Sequence, residues 1–248
     1  MQLLPGRPRR GVHRVALAHH HHVAGHGARV GAGRQVALVH RPGQPLGQGL
    51  LPGPAAGGEE LLGVAGQPAP DREAAGGQGL DILFANAGGG EFAAREDITW
   101  EHYASTFNTN VGGTIFTVQK ALPLLSAGAS VIITGSDIDV KGSASFSVYA
   151  ATKAALRSFA RSWAAELVGR QIRVNLVAPG PIGTPGLRGL APDAGAADAL
   201  LEGMASGVPM AQLGRPEEIA DTVLFLAGDS SSFMTGAELY VDGGQSQI

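Results

Sequence analysis

Between residues 80 and 248 the apolar positions follow two rhythms. Short aliphatic and β-branched runs are bounded by turn residues and too short for helices: LDILFA from Leu80, Val131 to Ile133, and IRVNLVA over residues 172–178. These predict strands, the last of them buried. Between the first two, Trp100, Tyr103, Phe107, Val111, Ile115 and Val118 recur at spacings of three and four. This predicts a helix capped by Asp97 or Thr99 and running to about Leu125. A second helix is predicted over residues 147–168, with Phe159 and Trp163 on an apolar face suited to packing or subunit contact. Pro216 with Glu217 and Glu218 opens another, and Glu238–Val241 reads as a final strand. Strands alternating with helices predict an α/β fold.

The first 79 residues follow neither rhythm. They hold seventeen Gly and eight Pro, and no Phe, Tyr, Trp or Ile, so little apolar surface offsets the entropy of ordering. Apart from Met1, every residue to Gly79 can be encoded by a codon beginning with G or C, and the missing residue types, cysteine excepted, return from Ile82 onward. That pattern is expected of a GC-rich gene read out of register, so this segment is read as an aberrant Gly/Pro/Arg/His-rich stretch replacing an ordinary half-domain. Gly27, Gly31 and Gly33 have the spacing of a pyrophosphate-binding turn, but His-rich sequence precedes them and QVALV after them reads as a strand, so chance is the better explanation. Four consecutive histidines, His19 to His22, cannot all face one ion, and no metal site is expected.

Charge divides the chain in the same place. Residues 1–79 carry eight Arg and four acidic residues, whereas residues 80–248 carry ten basic and seventeen acidic ones. An acidic main part argues against nucleic acid as partner. There is no cysteine, hence no disulfide framework or thiolate site. No apolar run is long enough to span a membrane and no signal peptide is evident, so a cytoplasmic protein is expected.

The candidate chemistry lies in residues 130–153. Ser136 stands at a predicted strand end, and thirteen residues later Tyr149 and Lys153 share one helix face at i and i+4. A cation beside a phenol favours the phenolate, so Lys153 is expected to draw the Tyr149 pKa down towards neutrality, making Tyr149 a candidate general acid/base. Ser136 can hydrogen-bond the same substrate oxygen. With Asn86-Ala87-Gly88 after a strand, Asn110 in a helix and Pro179-Gly180 after another strand, this order resembles the short-chain dehydrogenase/reductase family from residue 80 to 248.

The resemblance implies a doubly wound, Rossmann-type parallel sheet with helices on both faces, its N-terminal βαβ part aberrant here. It implies an NAD- or NADP-dependent oxidoreductase acting between a carbonyl and a secondary alcohol, working as a homo-oligomeric dimer or tetramer. Asn110, Ser136, Tyr149 and Lys153 match the catalytic positions, Asn110 holding a water in a proton relay. Asn86, Ala87, Gly88, Tyr149, Lys153, Pro179, Gly180, Ile182 and Thr184 match cofactor contacts, and residues 185–214 match a substrate lid. The pyrophosphate turn is not legible, so the alternative is a non-catalytic remnant that only joins family partners. Asp137 and Asp139 stand where the family more often has small residues; they are read as a solvated loop, with contact to a polar substrate group as the alternative.

Overall fold

The computed structural model describes residues 80–248 and the backbone of one strand before them, β1 (Ala37–His40), which overlaps the segment read as a strand from sequence. The remaining expectations for residues 1–79, including the glycine turn and the histidine run, lie outside the described residues. Four further strands follow: β2 (Leu80–Ala85), β3 (Leu125–Thr134), β4 (Arg173–Pro179) and β5 (Glu238–Val241). They lie side by side in chain order. β2 to β5 are parallel, with Ala85 opposite Ile133, Thr134 opposite Val177 and Pro179 opposite Val241. β1 runs antiparallel to β2, as an edge strand on an otherwise parallel sheet often does.

Alternation along the strands explains the two helical layers. Leu83, Val131, Ile133, Val174 and Leu176 face one side, where α2 (Gly113–Ala121) and α3 (Ser147–Leu167) bury Val118, Leu156, Ala160 and Ala164 against them. Phe84, Ile132 and Val177 face the other, covered by Ile219, Val223 and Leu226 of α6 (Pro216–Ala227). The doubly wound α/β arrangement therefore follows from strand residues that are apolar on both faces.

The first predicted helix is not continuous. α1 (Trp100–Phe107) gives way to a π-helical turn over Asn108–Gly112, then α2 ends at Ala121, four residues before the predicted end. Leu125 is instead the first residue of β3, 1% exposed and opposite Leu80. Arg170 donates to the Leu122 and Leu125 carbonyls, both at 3.0 Å, and so fixes this helix-to-strand turn. The N-cap of α1 is Thr99, whose Oγ1 accepts from the His102 N–H at 3.1 Å, rather than Asp97. The predicted lid contains two helices that sequence periodicity did not indicate, α4 (Pro185–Arg188) and α5 (Ala197–Ser206).

Candidate active site

Parallel strands bring the carboxyl ends of β2, β3 and β4 to one edge, and the segment after each carries candidate residues. After β2, the turn from Asn86 to Gly90 crosses the N-terminal part of α3. Gly90 lies so close to Tyr149 that an added Cβ would sit 2.6 Å from its ring, and one on Gly88 would stand 3.1 Å from Asn110 Oδ1 and 3.3 Å from Lys153 Nζ. Only glycine allows the main chain to approach so near. After β3, Ser136 is 8% exposed; after β4, Gly180 donates to the Val241 carbonyl at 3.0 Å.

Asn110, fully buried, ties these pieces together. Its Nδ2 donates to the Gly89 carbonyl and to Thr152 Oγ1, each at 2.9 Å, and its Oδ1 accepts from the Gly89 N–H at 3.0 Å. Thr152 in turn donates to the Tyr149 carbonyl at 2.6 Å. The π-helical turn thus delivers an amide that joins the β2 turn to the first turns of α3.

The electrostatics reverse one sequence expectation. The Tyr149 phenol is pushed up to about 12, chiefly by burial; the Ser136 hydroxyl opposes this through a hydrogen bond, and the Asp137 charge adds to it. Lys153, 2% exposed, is pushed down to about 8 by burial. Its Nζ donates to the Thr134 carbonyl at 2.9 Å and lies 5.4 Å from the Tyr149 ring centroid. Desolvation therefore raises the phenol instead of Lys153 lowering it, and at neutral pH the phenol keeps its proton, a state able to donate it.

The loop after Ser136 is not solvated either. Asp137 is 3% exposed; Lys141 Nζ stands 2.9 Å from its Oδ2, Ser136 Oγ donates to its Oδ1 at 3.4 Å, and Ser246 Oγ donates to its backbone carbonyl at 2.9 Å. Burial pushes the Asp137 carboxyl up. Asp139 accepts from the Tyr240 hydroxyl at 3.3 Å and faces Glu238, itself 2.6 Å from Arg157 Nε. That ion pair is close but off the hydrogen-bond direction, so Arg157 Nε and Glu238 Oε2 lack a hydrogen-bond partner, as do the buried Asp139 Oδ2 and Glu238 Oε1.

Asp139 is consequently raised from 3.8 to about 7, by burial first and then by the Glu238 carboxyl, against Arg157 and the Tyr240 hydroxyl. A carboxyl raised on folding binds its proton more tightly in the native state, so its contribution is fully present below pH 3.8 and is lost as pH rises to about 7. Asp139→Asn keeps an acceptor for Tyr240 and cannot ionise. Urea denaturation is expected to find this variant more stable than the wild type at pH 8, with the difference shrinking towards pH 5; a constant difference would exclude ionisation of the raised Asp139 carboxyl as the cause.

The remaining candidates are placed less centrally. Asn86 is exposed and its Oδ1 accepts from Thr134 Oγ1 at 2.8 Å. Ile182 bridges to Gly214, and Thr184 Oγ1 caps α4 by accepting from the Leu187 N–H at 3.1 Å. Sequence reasoning passed over Thr134 and Thr152, whose carbonyl and hydroxyl hold Lys153 and Asn110. Their positions, two residues before Ser136 and one before Lys153, were the available signal. Among the described residues no helix is long and apolar enough to cross a membrane.

Comparison with known proteins finds relatives over the described part of the chain. A family model described as enoyl-(acyl carrier protein) reductase matches residues 71–246. Oxidoreductase asL5 of Sarocladium schorii is 43% identical over 171 residues, covering 68% of this chain and 67% of its own. The 3-oxoacyl-[acyl-carrier-protein] reductase FabG of Thermotoga maritima is 36% identical, covering 66% of this chain and 65% of its own. Other curated relatives are spanned less fully, the Bacillus subtilis oxidoreductase YhxC over 61% of its length. The chain thus spans about two thirds or less of these relatives. Among solved structures, a short chain dehydrogenase family protein from Francisella tularensis superposes with a TM-score of 0.65 at 31% identity, covering 68% of this chain and 72% of that one.

Proposed function

The chain belongs to the short-chain dehydrogenase/reductase family, and from that premise we propose that it is an NAD- or NADP-dependent oxidoreductase interconverting a carbonyl and a secondary alcohol. The observation carrying this reading is the convergence of Ser136, Tyr149, Lys153 and Asn110 at the carboxyl ends of β2, β3 and β4, with Lys153 Nζ 5.4 Å from the Tyr149 ring centroid and Asn110 joined to the same helix through Thr152. The surroundings suit the ribose and nicotinamide part of such a cofactor. Lys153 spends one of three donors on Thr134, leaving two for ribose hydroxyls, and the Asn86-Ala87-Gly88 and Pro179-Gly180 turns form the rim with Ile182 and Thr184. When bound, the dihydronicotinamide would supply the hydride.

In the reducing direction Tyr149 Oη gives its proton to the carbonyl oxygen as the carbon gains hydride, and Ser136 Oγ donates a hydrogen bond to the same oxygen. Lys153 keeps a positive charge beside the phenolate that forms. Asn110, in the relay implied by resemblance, acts by position, since Gly89 and Thr152 occupy both its Nδ2 donors and one lone pair of Oδ1. Oxidation reverses these roles. On the same proposal residues 80–248 form the catalytic part and residues 1–79 stand in place of the first half; the protein is a cytoplasmic homo-oligomer.

One observation favours the second reading, a non-catalytic remnant: the strand next to β2 runs antiparallel, whereas the first βαβ unit of a doubly wound fold continues the sheet in parallel. Calorimetric titration with NADH and NADPH separates the two. Binding at micromolar concentration is expected of the enzyme; absence of binding up to millimolar concentration from folded chain would favour the remnant.

A further inference from the structure

Three aromatic rings run outward from the candidate acid. Tyr149 and Phe146 are stacked, with centroids 4.6 Å apart and planes 25° apart, and Phe92 follows Phe146 at 4.6 Å and 34°. The row grows more open as it leaves the phenol: Tyr149 and Phe146 are half-buried, and Phe92 is 43% exposed. Phe92 comes from the segment after β2 and Phe146 from the residue before α3, so the row spans two loops. They are joined by the Ala93 N–H, which donates to the Ser145 carbonyl at 2.8 Å. Ser145 has φ 58°, a left-handed conformation costly for a residue with a Cβ and tolerated where surrounding contacts hold it. Gly90 lies against the Tyr149 ring and keeps it in line.

A strained residue, a loop-to-loop hydrogen bond and a glycine contact hold in place two rings that remain partly open to water. We propose that Phe92 and Phe146 are the specificity-determining wall of the substrate site, selecting carbonyl compounds that carry a planar apolar group, such as aryl ketones. This assignment rests on the role given to Tyr149, because the wall begins at its ring. It places part of the selectivity outside the lid of residues 185–214, on loops fixed to the sheet and α3.

The test is a ligand-observed NMR titration of the purified full chain with acetophenone, butan-2-one and pyruvate, without cofactor. Acetophenone is expected to bind about tenfold more tightly than either alternative, the gain that one aromatic stacking contact provides. Phe92→Ala and Phe146→Ala should each erode that preference, whereas Tyr149→Phe, which keeps the ring, should preserve it. Should Phe146→Ala fail to fold by circular dichroism, Phe92→Ala, altered at an exposed ring, decides alone. Equal affinity for the three probes, or an unchanged preference in Phe92→Ala, overturns the proposal. Selective binding of acetophenone without its reduction under either NADH or NADPH would instead overturn the enzymatic reading and leave the wall standing.

Discussion

Tyr149→Phe is expected to lower carbonyl reduction by at least about 100-fold, the usual minimum for losing a positioned general acid, with little change in melting temperature. The two halves of that expectation come from different atoms. The ring of residue 149 contacts Phe146 and Gly90, and phenylalanine retains both contacts. The hydroxyl lies in a setting where burial holds the phenol near 12. Removing it deletes the proton that must reach the carbonyl oxygen while relieving a desolvated polar group. Steady-state rates alongside thermal denaturation check both halves. A variant that reduces substrate at the wild-type rate would exclude Tyr149 as the acid, and one that is slow only because it unfolds would make its role structural.

How far the site could be read from sequence depended on whether position or environment was being asked for. Position was legible: the spacing of Ser136, Tyr149 and Lys153 holds, because a strand end and a helix face are local geometries set by periods of two and 3.6 residues. Leu83, Val131, Ile133, Phe84 and Ile132 likewise announced strands, and in the structure they divide between the two helical layers as alternation requires. The helix containing Asn110 was legible only in outline. A period of 3.6 continues with little visible break through a π turn, and the end at Ala121 is fixed by Arg170, nearly fifty residues away.

Environment was not legible. The presence of Lys153 one turn after Tyr149 suggested a lowered phenol pKa, yet that inference took the charge and left out desolvation, which depends on β2, β3 and α3 closing around both groups. Asp137 and Asp139 failed in the same direction. Two acidic residues in a short polar stretch read as surface, whereas Ser246, Tyr240 and Glu238, a hundred residues later, cover them. Local pattern therefore located the donors and acceptors, and distant chain determined which of them hold protons.

Asn110→Ala should be among the most destabilising single changes in the described part, by about 3 kcal/mol, because loss of three hydrogen bonds strands buried partners and leaves a small void. Thr152 loses its amide donor in the interior. The N–H and carbonyl of Gly89 lose both their partners, although water can reach this exposed turn and recover part of the loss. For a chain of this length the melting temperature should fall by roughly 6–12 °C. Activity should fall as well, since Asn110 reaches from Gly89 to Thr152, which bonds the Tyr149 carbonyl. Asn110→Asp sharpens the test. It preserves an acceptor for the Gly89 N–H but replaces two donors with an oxygen facing the Gly89 carbonyl and the Thr152 hydroxyl, whose own hydrogen goes to Tyr149. Aspartate should therefore be at least as damaging as alanine despite its nearly identical shape. An aspartate variant as stable as wild type in urea titration would show that shape, not the amide's donors, joins the β2 turn to α3.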